Sequence, residues 1–238
     1  MSRSWWRAVG AVLFALAVVV GAVTVTRAAS APDRPAAAPP GTSAGTATGP
    51  STGQPSAPSA DSADAGFARD MAAHHQQAVE MSFVVRDRTR DTDVRRLAYD
   101  IANTQANQRG MLLGWLDLWG LPKIASPDAP QMGWLDGHAD HPAKPGRPGA
   151  EEGLMPGMAT RAELKALGEA RGRAAEILYL RLMTAHHKGG VTMAGGCAEQ
   201  CTVGVERALA QGMVDAQQAE LGLMAGMLRE RGAGAASS

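Results

Sequence analysis

"MAAHHQQAVEM", residues 71–81, recurs as "MTAHHKGGVTM" at residues 183–193. The shared frame sets two adjacent histidines between methionines, twice, in a chain with only 6 histidines. The correspondence extends outward, aligning 69–120 with 181–232 without a gap. His74 and His75 meet His186 and His187, and Met71 and Met81 meet Met183 and Met193. Arg95, Leu97, Gln105 and Gly110 meet Arg207, Leu209, Gln217 and Gly222. An ungapped register of this length marks an internal duplication. Each half is therefore one structural unit, and the two predict a pseudo-symmetric pair.

Each half reads as a helical hairpin. Phe67, Met71, Ala78, Met81 and Val85 recur at helical spacing over 64–88, and "RTRDTD" breaks the pattern. A second stripe of Leu97, Ala98, Ile101, Leu112, Trp115, Leu116 and Trp119 follows, and "GLP" at 120–122 stops it. The second half opens on Thr160-x-x-Glu163, a capping-box signature. A helical stretch runs from there to about 194, with Gly172 as a candidate break, and the last helix covers about 202–231. "GGCAEQC" is read as the turn between them. The expected architecture is all-α, a ferritin-like four-helix bundle spanning 61–232. Its repeats are 64–120 and 160–232, joined by a Pro/Gly-rich crossover at 121–158.

Advancing about 100° per residue puts Phe67, Met71, His74, Met81 and Val85 on one stripe, with His75 at its edge. The second hairpin repeats the arrangement with Met183, His186, His187 and Met193. Gln105 and Gln108 interrupt the apolar stripe of the second helix, as Gln217 and Glu220 do in the last one. A buried polar group without a partner costs roughly 1–3 kcal/mol. These residues are therefore expected either to satisfy one another in a structural network or to share a ligand. Imidazole is a common metal ligand and thioether sulfur a soft one suited to Cu(I) or Ag(I). A di-iron site would need Glu-x-x-His pairs, but Met71 and Met183 stand three residues before the histidines.

Composition narrows the function classes. The 23 basic and 23 acidic side chains balance, against the basic excess of a nucleic-acid binder. No nucleophile with a neighbouring base, phosphate loop or catalytic carboxylate pair is present, so no enzymatic activity is expected. Arg3 and Arg7 precede the uncharged stretch "AVGAVLFALAVVVGAVTVT", so 1–28 is read as a signal peptide or membrane anchor. Residues 29–60 are nearly all Ala, Pro, Ser, Thr and Gly and are read as a disordered linker. The folded part is thus expected outside the cytoplasm, secreted or tethered to the membrane.

Taken together, "FARDMAAHHQQAVEM", "ANTQANQRGMLLGWLDLWGLP", "GLMPGMATRAELKAL" and "LYLRLMTAHHKGGVTMA" resemble the secreted bacterial domain-of-unknown-function family 305. The resemblance covers about 64–231 and implies a four-helix bundle, with some members linked to copper or silver outside the cytoplasm. Carried over, it points to His74, His75, Met71, Met81, His186, His187, Met183 and Met193 as metal ligands. Gln105, Gln217 and Glu220 match the family's Q-x-x-E position. Two departures lower the interior negative charge and favour a soft monovalent ion. Gln108 replaces a usual Glu, and Ala175, beside Glu176, replaces a frequent Asp. The expected function is copper or silver binding, storage or tolerance, with the metal ion as partner and no nucleic acid. The alternative is a metal-free envelope or interaction protein with a structural His/Gln/Glu network.

Cys197 and Cys201 are the only cysteines. Outside the cytoplasm they are expected to form a disulfide, with a thiolate ligand pair or redox pair as the alternative. Met132, His138 and His141 in the crossover read as a solvated loop or a surface metal recruiter. Met155 and Met158 are expected to cover the bundle end.

Overall fold

Ser62 ends the extended lead-in to the first helix by accepting a hydrogen bond from the Ala65 amide. A computed structural model describes residues 57–125, 131–135 and 154–234, and these form five helices. They are α1 (Ala63–Arg88), α2 (Thr92–Trp119), α3 (Arg161–Glu169), α4 (Gly172–Gln200) and α5 (Gly204–Glu230). Asp91 caps α2 through the amides of Asp93 and Val94, and Gly120 ends it with φ 66°, where a side chain would be strained. Thr160 and Glu163 form the capping box read from the sequence.

The four long helices form the bundle. α1 packs on α2, α4 on α5, and the two hairpins meet through α1 and α4, whereas α2 and α5 scarcely touch. α1 and α4 run antiparallel. Ser82 bonds Tyr179 at 3.0 Å, and Thr89 bonds Glu176 at 2.5 Å near one end. Met81 and Met183 share the apolar cluster on that side, while Met71 and Met193 share the cluster on the other. Arg231 locks the first end through Glu176 at 2.8 Å and Asp91 at 2.9 Å. Glu176 is thereby committed to Thr89 and Arg231 and does not compensate for Ala175 near the histidines.

The break expected near Gly172 is present: the stretch from 160 is two helices, interrupted at Ala170 and Arg171, and Gly172 begins α4 with φ 54°. Other expectations change. "GGCAEQC" is not a turn, since α4 continues to Gln200 and Cys201 caps it. Gly110, Gly114, Gly222 and Gly226 recur four residues apart within α2 and α5, a repeated cost to helix stability that by itself predicts close helix approach. A Cβ at the first three would meet no atom within 4 Å, and at Gly226 only the end of Arg229. Replacing Gly110, Gly114 or Gly222 by alanine should therefore stabilise the fold by about 0.5–1 kcal/mol each, by removing unfolded-state freedom. Urea midpoints would check this, and lowered midpoints would contradict open packing there.

The signal or anchor segment and the linker up to residue 56 lie outside the described residues, as do His138 and His141. No helix among the described residues is long and apolar enough to cross a membrane.

Candidate functional site

The tandem histidines form a tier between the two apolar clusters. His74, His75, His186 and His187 are all fully buried, so His75 and His187 lie inside the bundle and not at the edge of a stripe. The rings of His74 and His186 approach to 3.7 Å between centroids across the α1–α4 contact. His75 lies 6.5 Å from His74, and His187 6.3 Å from His186. The duplication has thus placed equivalent residues against each other near its pseudo-symmetry axis.

Hydrogen bonds fix the tautomers of two rings. The Nε2–H of His74 donates to the Pro156 carbonyl at 3.1 Å, and that of His186 to the His74 carbonyl at 2.9 Å. A carbonyl can only accept, so the proton resides on Nε2 and Nδ1 carries a lone pair. His187 Nε2 bonds the Glu220 carboxylate at 2.6 Å. Nδ1 of each of these rings, and both nitrogens of His75, have no hydrogen-bond partner within the chain. Burial pushes the His74 imidazole down to about 4, assisted by His187 and opposed by the Pro156 bond. Burial and the neighbouring His74 push His75 down to about 3, opposed by the nearby Gln108 amide. Burial, His74 and His187 hold His186 well below the ordinary range. At neutral pH these three rings are therefore unprotonated, the form in which imidazole can donate to a metal.

Met71, Met81, Met183 and Met193 are fully buried on either side of this tier. Gln105 and Gln217 are buried as expected. Both amide atoms of Gln105, and Oε1 of Gln217, lack partners within the chain. Gln108 and Glu220 are not interior residues. They are half-buried and, with Gln105, Gln217 and Met213, line a narrow crevice between α2 and α5. That crevice follows from the poor contact between those two helices and leads towards His187 through Glu220. A larger hollow of about 640 Å³ lies by the α1–α2 turn, among Arg88, Arg90, Asp91, Arg171 and Glu176, and includes none of the histidines.

The "MPGM" segment does not cover the bundle end but wedges against the histidine tier. Gln77 brackets Ala159, donating to its carbonyl at 2.9 Å and accepting from its amide at 2.6 Å. Gly189 and Gly157 make the wedge possible. A Cβ at Gly189 would overlap the Pro156 carbonyl, and one at Gly157 the Ala185 carbonyl. Gly190 likewise leaves room for Gln217. The second frame therefore reads "HHKGG" where the first reads "HHQQA": Gly189 makes space for the segment that Gln77 holds. The adjacent glycines inside a helix were the available signal for this wedge.

Met132 is buried, not part of a solvated loop. Asp70 accepts from the Met132 amide at 3.0 Å and from the Trp134 indole at 2.9 Å, and folds that piece of the crossover onto α1. Sequence reading also missed a buried acid pair. Asp64, in the first turn of α1, accepts from the amides of Thr202 and Val203 at 2.9 and 2.7 Å and so holds the turn that leads into α5. Burial, then the Asp64 charge beside it, pushes Glu206 up to about 9. Cys197 and Cys201 form a disulfide with a Cα separation of 4.8 Å.

Known proteins share this architecture. A DUF305 protein of Streptomyces coelicolor, classed as a candidate secreted protein, is 60% identical over 76% of this chain and 100% of its own, with a TM-score of 0.66. A DUF305 fragment from Deinococcus radiodurans is 28% identical over 71% of this chain and 96% of its own, with a TM-score of 0.55. CopM in its Cu(I)-bound form is 19% identical over 70% of this chain and 96% of its own, with a TM-score of 0.51, and shows the same helical fold. No curated protein matches the chain. Residues 64–228 match the domain of unknown function DUF305, and the chain belongs to that family.

Proposed function

We propose that this chain is an extracytoplasmic metal-binding protein, not an enzyme, that takes up soft monovalent ions, copper(I) or silver(I), for storage, sequestration or tolerance. The observation that carries the reading is the pair of Nδ1 lone pairs on His74 and His186. Each is buried, without a partner in the chain, and set in its tautomer by a backbone carbonyl bonded to the opposite nitrogen. Second-partner bonds of this kind orient metal-ligating histidines and raise their basicity. His75 and His187 extend the donor row, and Met71, Met81, Met183 and Met193 supply soft sulfur on both sides of it. Gln105, Gln217 and Glu220 are the polar residues that would face an ion entering from the α2–α5 crevice.

Among the described residues, these imidazoles do not draw together into a compact three-donor His/carboxylate cage. A row of nitrogens flanked by thioethers suits low-coordinate Cu(I) or Ag(I) better than a divalent ion that needs several hard ligands. CopM, which shares the fold, has been solved with Cu(I), Ag and Cu(II) bound. The N-terminal sequence and the candidate secreted relative support the location.

A metal-free envelope or interaction protein is the second reading. The His74–Pro156 and His186–His74 bonds favour it, because they also pin α1, α4 and the "MPGM" segment together. Titrating the purified chain with Cu(I) against a competing chelator separates the two. Affinity no greater than that of an unrelated Met-rich bundle would remove the metal reading.

A further inference from the structure

The turn between α4 and α5 joins two features that contribute little to stability where they stand. Cys197 and Cys201 are bonded across one turn at the end of α4. A cross-link over so short a loop restrains the unfolded chain weakly. The first hairpin has Val85 and Thr89 at the matching positions, so only one half carries this pair. Beside it, Glu206 in the first turn of α5 is fully buried, no donor within the chain reaches its carboxyl oxygens, and its one polar neighbour is the Asp64 carboxylate, which favours its protonated form. Burying a carboxyl in this way is costly unless it serves some other end. The two sulfurs and one Glu206 oxygen lie within 4.8 Å of one another. Asp64 does not compete for the same role, since its oxygens accept from Thr202 and Val203.

We propose that reduction of the Cys197–Cys201 disulfide opens a second metal site, separate from the histidine tier, in which two thiolates and the Glu206 carboxylate hold one zinc(II) ion. The reductant is a dithiol. It supplies two electrons and two protons, the Cys197–Cys201 bond breaks, and a disulfide forms within the dithiol. Zinc(II) then displaces the two thiol protons and the Glu206 carboxyl proton to solvent, forming two metal–sulfur bonds and one metal–oxygen bond. Two cysteines one helical turn apart can share an ion at Zn–S distances of about 2.3 Å. A mixed sulfur and oxygen set suits borderline-soft zinc(II) better than Cu(I), which disfavours a carboxylate oxygen. Thr202 is exposed and Cys201 lies at the end of the helix, so the turn is where a reductant would enter.

The test compares the oxidised full-length chain with the chain reduced by a dithiol and freed of it under anaerobic conditions. Zinc(II) uptake is read by native mass spectrometry and by chelator competition. The reduced chain should hold one more zinc(II) than the oxidised chain. The His74→Ala/His186→Ala background should retain that increment, which keeps the outcome independent of the histidine tier. Cys197→Ser/Cys201→Ser should abolish it, and Glu206→Gln, with helicity verified by circular dichroism, should weaken it at least tenfold. Equal stoichiometry in the two redox states, wild-type zinc(II) affinity in Glu206→Gln, or a disulfide that no dithiol reduces in the folded chain would overturn the proposal.

Discussion

Replacing His74 and His186 together by alanine is expected to weaken Cu(I) binding by at least about a hundredfold. Loss of an outer partner that merely orients a metal ligand already costs about 10–100-fold in affinity. Removing two direct nitrogen donors at the centre of the row should cost no less, and a hundredfold corresponds to about 2.7 kcal/mol. The substitution also removes two buried rings, one inter-helix hydrogen bond and one bond to the "MPGM" segment, so lowered stability alone would not be informative. A second variant separates the effects. Met71→Leu/Met193→Leu keeps nearly the same volume, and such swaps usually cost less than about 1.5 kcal/mol. It deletes only sulfur, and Cu(I) affinity should fall while the thermal midpoint changes little. Chelator competition on all three proteins gives the measurement. Wild-type affinity in both variants would place bound copper elsewhere on the chain.

The metal-free protein should lose stability steeply as pH falls from about 6.5 towards 4. The folded-state values of His74 and His75 lie at about 4 and about 3, below the ordinary imidazole value of 6.5, and that of His186 is also well below it. Below 6.5 the unfolded chain therefore binds more protons than the native one, and stability falls with pH. For His74 alone the loss by pH 4 is on the order of 3 kcal/mol.

Glu206 acts in the opposite direction. Its folded value of about 9 exceeds the ordinary glutamate value of 4.5, so the native state holds the extra proton between those limits and gains stability as pH falls through that window. Three imidazoles oppose one carboxyl, and the histidines dominate below 6.5. Against total stabilities of about 5–15 kcal/mol, the net effect is enough to unfold the metal-free chain in mild acid. Bound Cu(I) should move that transition to lower pH, because an ion on the lone pairs excludes the protons. Circular dichroism against pH, with and without Cu(I), reads both effects. A metal-free chain equally stable at pH 4 and pH 7 would contradict the buried neutral tier.

The repeat made the hairpins legible because it is a one-dimensional signal. His74, His186 and the four methionines fell on interior stripes by helical arithmetic, and all six are buried. The same arithmetic misplaced His75, Gln108 and Glu220. It assumes an apolar arc of fixed width, whereas here α1 and α4 are enclosed and the α2–α5 side stays open. Glycine spacing was misleading for a related reason. Gly110 and Gly114 face no neighbour, while Gly189 and Gly190 sit under the "MPGM" segment and Gln217. Only the three-dimensional path of the crossover distinguishes the two cases. The Asp64–Glu206 pair was hidden because each is an ordinary acidic residue in the first turn of a helix, and their proximity depends on how α1 meets the α4–α5 turn.

X-ray absorption at the copper edge, on the oxidised chain loaded with one equivalent of Cu(I), tests the central claim most directly, because the disulfide withholds thiolate from the ion. The account predicts imidazole nitrogen and thioether sulfur together around copper, with the nitrogen signal lost in His74→Ala/His186→Ala. A shell without nitrogen, or one unchanged in that variant, would contradict it.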